Sequence, residues 1–332
     1  MRKPEVVRTL EFADLPKGSV TPLLLDLVED AAGLPVYVPV LVARGRGDGP
    51  VFGLTAAVHG NELNGIPVLH RLFEWVTKNP LRGTVVAILI ANVPGFRLHR
   101  REFQDGTDLN DIMPGRPNGS ESEVYAHRLI ERAISRFDML IDLHTASFGR
   151  INSLYVRVDT GDPTAARMAR LLQPQIMLHN AASDGTLRAA ASELGIPAVT
   201  FEIGNPQSFQ SDYIRSSLLG IRRVMGDFDM TSAPRPARGR DPVLCQRSFW
   251  LYTDLGGLLD VHPTLTAQVR EGEVVARLRN VFGDVVREYE APESGVVIGK
   301  SVNPVGGTGA RILHLGIPAD AHHYYSPGRL LT

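Results

Sequence analysis

Short apolar runs alternate with amphipathic segments through the first 230 residues. Val51–Val58, Thr84–Ala91, Asp138–Leu143, Ser153–Val158 and Pro197–Ile203 each have the length and composition of one buried strand. Between them the apolar spacing becomes helical. Ile66, Leu69, Phe73 and Val76 fall on one face of a segment from about 65 to 78, and Ile214, Leu218, Ile221 and Met225 do so within 208–225. Ser120-Glu-Ser-Glu123 is a capping-box start for a helix running to about Arg136. Asp162-Pro163 opens a short helix to Leu172, and another spans Thr186–Leu194. This alternation predicts an α/β domain with a largely parallel or mixed sheet flanked by helices. Ahead of it, Leu34–Ala43 reads as a strand, and its two prolines predict a sheet edge. Gly45-Arg-Gly-Asp-Gly49 reads as a hairpin tip.

The pattern changes at Thr231–Asp241, a Pro- and Arg-rich stretch with the composition of a linker. Beyond it the helical spacing disappears, and short β-like runs are cut by glycines. The chain therefore divides into an α/β domain at 1–230 and a small all-β domain at 243–332. At 332 residues, two domains are the expectation. The net charge of −1 gives no basic field for nucleic acid or an anionic membrane. No run of 18 apolar residues exists to span a bilayer. The single cysteine, Cys245, cannot form an intramolecular disulfide. Met1–Val20 lacks the apolar core of a signal peptide, so the expected setting is the cytoplasm.

Candidate chemistry lies where two of the strands stop. The run Val51–Val58 ends at His59, and Glu62 follows three residues later, before the helical segment begins. Residues three apart in a helical turn share a face, so imidazole and carboxylate can reach one point. The bare His-x-x-Glu pattern occurs twice, at His59/Glu62 and His99/Glu102, and carries little information alone. The first pair follows a strand and is flanked by Gly60 and Gly65; the second sits in an Arg-rich loop. A third donor, His144, ends the run Met139–Leu143. Ligands of open α/β sheets bind beyond the carboxyl ends of the strands. His59, Glu62 and His144 there form a three-donor set with one position open to water, the pattern of a catalytic zinc site.

Four motifs then appear in order: His59-Gly-Asn-Glu62, Asp105-Gly-Thr-Asp-Leu-Asn110, Asp142-Leu-His144 and Phe201-Glu202-Ile-Gly204. On these, over nearly its whole length, the chain resembles the succinylglutamate desuccinylase/aspartoacylase family, which is related to the zinc carboxypeptidases. The resemblance implies a zinc-carboxypeptidase-like mixed sheet flanked by helices, followed by a small all-β, lipoyl-like sandwich. It implies one zinc ion per chain on His59, Glu62 and His144, with Glu202 as general acid/base. It implies an arginine upstream of Asp-Leu-Asn that polarises the scissile carbonyl. By spacing from Asp105, Arg100 fits that role best, and Arg101 comes second as a substrate contact. Asn110 matches the family's substrate-binding asparagine. The sandwich has Pro292-Glu-Ser-Gly295 and no lysine at the expected hairpin tip, so it reads as a cover or homo-oligomerisation element.

The chain departs from the family at Asp111, where Asp-Leu-Asn is usually followed by arginine. That arginine would grip a substrate carboxylate as a fork. Asp111 repels a carboxylate and suits an ammonium. The resulting expectation is a zinc-dependent amidohydrolase that removes an acyl group from an N-acylated amino acid or a related small amide. A carboxypeptidase-like metallopeptidase and a catalytically silent binding module are the competing readings. No Gly-x-Ser-x-Gly elbow supports a serine nucleophile.

Overall fold

The computed structural model describes residues 3–181, 185–232, 239 and 241–319. Strands β1 (Glu5–Val7), β2 (Ser19–Glu29) and β3 (Pro35–Arg44) precede β4 (Gly47–Ala56), which leads toward His59. Then come α1 (Gly65–Val76), β5 (Arg82–Ile88), α2 (Val93–Arg97), α3 (Glu121–Arg132), β6 (Met139–His144), β7 (Arg150–Asn152) and β8 (Leu154–Val158). They are followed by α4 (Pro163–Leu172), β9 (Ile176–His179), α5 (Leu187–Glu193), β10 (Ala198–Ile203) and α6 (Ser211–Asp227). After α6 the described residues form strands only: β11 (Val243–Tyr252), β12 (Gly257–Val261), β13 (Gln268–Val269), β14 (Val274–Arg279), β15 (Val285–Glu290), β16 (Gly295–Ser301), β17 (Val305–Gly306) and β18 (Arg311–Pro318).

The expected mixed sheet with helices on both faces is present. Its centre runs β5-β4-β6-β10 with all pairs parallel, so those strands share one carboxyl edge. Alternation along β6 and β10 divides the core. Ile141, Leu143, Val199 and Phe201 pack with α1, α4 and α6 on one face. Leu140 and Ala198 pack with α3 and α5 on the other. Full burial of Leu69 and Leu72 on α1 contributes about 1.5–3 kcal/mol each. The capping box forms as its sequence predicts: Ser120 Oγ accepts from Glu123 N while the Glu123 carboxylate accepts from Ser120 N.

Three expectations need correction. The strand at Leu34–Ala43 is not a sheet edge; β3 lies between β2 and β5. Its prolines are tolerated because ladder pairing with β5 covers only Val40–Arg44: Pro35 lies beyond it, and Pro39 at its end uses only its carbonyl, which accepts from Leu89 N at 3.0 Å. Gly45–Gly49 is not a hairpin tip, since β3 and β4 both pair with β5 and not with each other. Nor is Pro292–Gly295 a hairpin tip. It crosses from β15, in a 4-stranded sheet, to β16, in the large sheet. The hairpin that does form, β14–β15, turns at Asn280–Asp284 and carries no lysine either.

Of the linker Thr231–Asp241, residues 233–238 and 240 lie outside the described residues. The change of composition there does not end the sheet. β11 pairs in parallel with β9, and β16 pairs with the short β7, so the C-terminal strands continue the α/β sheet up to the cavity described below.

Candidate active site

Strand register places the site. Glu202 on β10 stands opposite His144 on β6, and Thr200 stands opposite Asp142. Side chains in register on parallel neighbours project to the same face, so Asp142, His144 and Glu202 face the same side. His59 and Glu62 come from the turn after β4, closed by Glu62 N donating to His59 O at 3.1 Å. Gly60 in that turn has no room for a side chain: a Cβ would lie 2.1 Å from the Gly95 carbonyl carbon of α2. Buried Asn64 ties the turn to β10, donating to Ile203 O at 2.7 Å.

The three donors converge. His144 Nδ1 lies 3.1 Å from His59 Nδ1 and 3.1 Å from Glu62 Oε2, and His59 Nδ1 lies 2.9 Å from Glu62 Oε1. Donor atoms of the trio all fall within 4.8 Å of one another, and all three residues are buried. Two imidazoles and a carboxylate aimed at one point fit a divalent cation. The outer face of each imidazole meets a carboxylate: Asp142 Oδ2 is 2.6 Å from His144 Nε2, and Asp108 Oδ1 is 3.1 Å from His59 Nε2. Such carboxylates fix the tautomer and leave both Nδ1 atoms for the cation. Asp142 is itself held by Thr55 Oγ1 at 2.5 Å.

Charge follows from this packing. Burial pushes the His144 pKa down, but Asp142 and Glu62 outweigh it and raise it well above the ordinary value. His59 is raised likewise, burial being overcome by Glu62 and Asp108. Burial alone would raise Glu62, yet the two imidazoles hold it well below the usual carboxylate range. Glu62 also accepts from Thr145 N at 2.9 Å, Ser147 Oγ at 2.7 Å and Arg101 Nη1 at 3.0 Å. Glu202 behaves oppositely. Burial raises its pKa, and Arg157, whose Nε is 3.7 Å from Oε1, offsets only part of this. Asn152 Nδ2 donates to Glu202 Oε2 at 3.1 Å.

The profile of the succinylglutamate desuccinylase/aspartoacylase catalytic domain matches residues 48–226. The chain belongs to this family. A family relative from Halomonas elongata, N-alpha-acetyl-L-2,4-diaminobutyric acid deacetylase, is 24% identical over 81% of this chain and 82% of its own length. A succinylglutamate desuccinylase from Pseudomonas paraeruginosa is 30% identical over 49% of this chain and 53% of its own. Among solved structures, the product-bound ectoine utilization protein EutE (DoeB) from Ruegeria pomeroyi superposes with a TM-score of 0.82 at 22% identity, covering 93% of this chain and 99% of that one.

In this family member a cavity of about 370 Å³ opens over the three donors. Glu202, Arg101, Asn110 and Asp111 line it with His59, Glu62 and His144. Arg100 does not; it is exposed and lies off the cavity. The structure therefore corrects the preference for Arg100. Arg100 N bonds to Gly95 O just after α2, and it is the next residue whose side chain turns inward. Arg101 Nε donates to Asp108 Oδ2 at 2.8 Å, and Nη1 reaches Ser147 Oγ at 2.8 Å. Asn110 Oδ1 accepts from Leu187 N at 2.8 Å.

Several lining residues were not singled out in the sequence. Arg188, on α5, is only 2% exposed and has no carboxylate partner among the described residues. Its Nη2 donates to Asn180, and its Nη1 has no partner among the described residues. Burial, then the charge of Arg157, lowers its pKa to about 10. Asp142 carried a readable signal, since it stands two residues before His144 in a strand. Asn152, Arg157 and Arg188 carried none, because their relation to Glu202 and the cavity is set by strand pairing for the first two and by the packing of α5 for the third.

Proposed function

We propose that this protein is a zinc-dependent amidohydrolase that releases an acyl group from an N-acylated amino acid whose side chain ends in an ammonium. The observation that carries the reading is Glu202, a buried carboxylate of raised pKa, in register with His144 beside a convergent two-histidine, one-glutamate set. The α/β part at 1–230 and the β part at 243–332 are read as two domains that jointly bound the cavity.

His59, Glu62 and His144 would hold the zinc, which when bound makes a nucleophilic water available near neutral pH and polarises the carbonyl. Glu202 takes the proton of the attacking water and later returns it to the leaving amine. Asn152 occupies Oε2, which leaves Oε1 for that proton. Arg101, braced by Asp108 and Glu62, directs its guanidinium at the oxyanion that develops on the scissile carbonyl. Asn110 spends its Oδ1 on Leu187 N, so its amide remains to donate to substrate. Arg188 is a buried cation with no carboxylate partner among the described residues, and a substrate carboxylate would satisfy it. Asp111 at the rim provides the complementary charge for an ammonium.

The test is metal analysis of the purified protein together with hydrolysis of Nα-acetyl-L-2,4-diaminobutyrate and N-acetyl-L-aspartate. About one zinc per chain and a preference for the diamino acid are expected. A preference for N-acetylaspartate would overturn the role of Asp111, and absence of bound metal from an active enzyme would overturn the zinc assignment.

A further inference from the structure

What holds the buried guanidinium of Arg188 is neutral. Its side chain is fixed by one hydrogen bond, from Nη2 to Asn180 Oδ1 at 2.6 Å. Buried guanidinium groups are ordinarily paired with carboxylates, because an unpaired charge in a low-dielectric interior is costly. No described carboxylate forms an ion pair with Arg188. Asp159 and Asp142 favour its charge from further away, and Arg157 opposes it.

Asn180 is placed by the sheet. It follows β9, whose parallel pairing with β8 ends at Val158 and His179, and its N–H extends that ladder by donating to Val158 O at 2.9 Å. The preceding side chain is tied as well, with His179 Nδ1 2.8 Å from Thr160 Oγ1. A guanidinium has only donors, so the Asn180 atom that meets it must be the oxygen, and the nitrogen takes the other branch of the amide. That nitrogen has no hydrogen-bond partner among the described residues, and Asn180 and Arg188 both line the cavity.

Aspartate at this position would have nearly the same shape and would accept the same bond. It would also neutralise Arg188, and it would put an acceptor where Asn180 has two N–H donors. Asparagine orients the guanidinium and leaves its charge for a ligand.

We propose that Asn180 is a positioning and substrate-binding residue: a neutral clamp that holds Arg188 toward the cavity and donates its own amide to the second oxygen of the substrate carboxylate. The inference rests on the deacylase reading above, with Arg188 as the carboxylate site, and goes beyond it in assigning Asn180. A carboxylate bound this way receives a charge-assisted bond from Arg188 and a second bond from Asn180 Nδ2.

The test compares Asn180→Asp with wild type in the full-length, metal-loaded enzyme, using Nα-acetyl-L-2,4-diaminobutyrate and N-acetyl-1,3-diaminopropane. The second compound has the same amide and ammonium and lacks the carboxylate; if it turns over too slowly, its inhibition constant supplies the comparison. The preference for the carboxylate compound is expected to fall by about tenfold or more, mainly through KM, as loss of a hydrogen bond to a charged group requires. Asn180→Ala should lower it too. If Asn180 only held Arg188 in place, Asn180→Asp would keep the wild-type preference and Asn180→Ala alone would lose it; that result overturns the proposal. Stability gives an independent reading. A counter-ion supplied to a buried cation should raise the Tm of Asn180→Asp by about 2 °C or more. An unchanged or lower Tm, or a variant that does not fold, means that the charge of Arg188 is already met and overturns the neutral clamp. If wild type hydrolyses neither compound, the deacylase reading fails on its own, and the Tm comparison still decides the clamp.

Discussion

Asp142 and His144 lie two residues apart on one strand, and their side chains meet with Oδ2 2.6 Å from Nε2. The carboxylate fixes the imidazole so that Nδ1 faces Glu62 and His59. Asp142→Asn keeps the shape and the bond to Thr55 but removes the charge. It is expected to weaken metal binding by about 10–100-fold, the range typical for such outer partners. Competition with a calibrated chelator measures this, and unaltered affinity would show that Asp142 does not orient the histidine.

Arg100 and Arg101 are adjacent in sequence and differently placed: Arg101 lines the cavity and Arg100 is exposed. Arg101→Lys retains the charge but cannot bond Asp108, Glu62 and Ser147 together, and a kcat loss of about 10²–10³ is expected, as for removal of one oxyanion donor. Arg100→Ala, at an exposed position, is expected to stay within about twofold of wild type, since surface changes away from such features have small effects. Steady-state kinetics on both, with metal content checked, distinguishes them. The reverse ranking would return the role to Arg100.

Glu202→Gln is expected to lower kcat by about 10²–10⁴ with metal content retained, the usual contribution of a positioned acid/base. In wild type the carboxylate must be ionised to take a proton. Its pKa is raised, so activity should fall as pH decreases through a midpoint above the ordinary value of 4.5. A kcat/KM profile still flat at pH 5 would contradict this.

The metal-free protein has its own pH signature. His59 and His144 are raised when folded, so their contribution to stability is fully present below the ordinary value of 6.5 and is lost as pH rises through the folded values. Glu62 is depressed, so its contribution is present above its ordinary value of 4.5 and is lost as pH falls through the folded value. Metal-free protein should therefore melt highest between about 4.5 and 6.5 and lose stability as pH is raised further. Zinc should reverse the trend, because binding requires neutral imidazoles. Thermal melts with and without metal measure the crossover. A monotonic rise in Tm toward pH 8 without metal would count against the coupled cluster.

Much of the fold was legible because local periodicity reports burial. The run before His59 is a strand that starts four residues earlier and ends two residues earlier than expected, the capping box forms at Ser120, and the apolar strand before His144 lies within a residue of its expected bounds. The misplaced elements share one cause. The prolines of β3 and the glycines after it look like an edge and a hairpin to local reading, but the partner that decides the matter, β5, lies about forty residues further on. The choice between Arg100 and Arg101 failed similarly, because spacing from Asp105 does not determine which side chain faces inward.

The sequence by itself determined which groups are available: two histidines and a glutamate at strand ends, a glutamate near the end of a third strand, and an aspartate where the family carries arginine. Their order along the chain, and the apolar runs before them, were enough to place them at one edge of a sheet. Only the tertiary structure decided which carboxylates back the imidazoles, which arginine enters the cavity, and that strands from beyond residue 243 supply Trp250 and Arg311 to it. Those relations join residues distant in sequence through strand register and burial, and neither quantity is encoded in any local stretch of the chain.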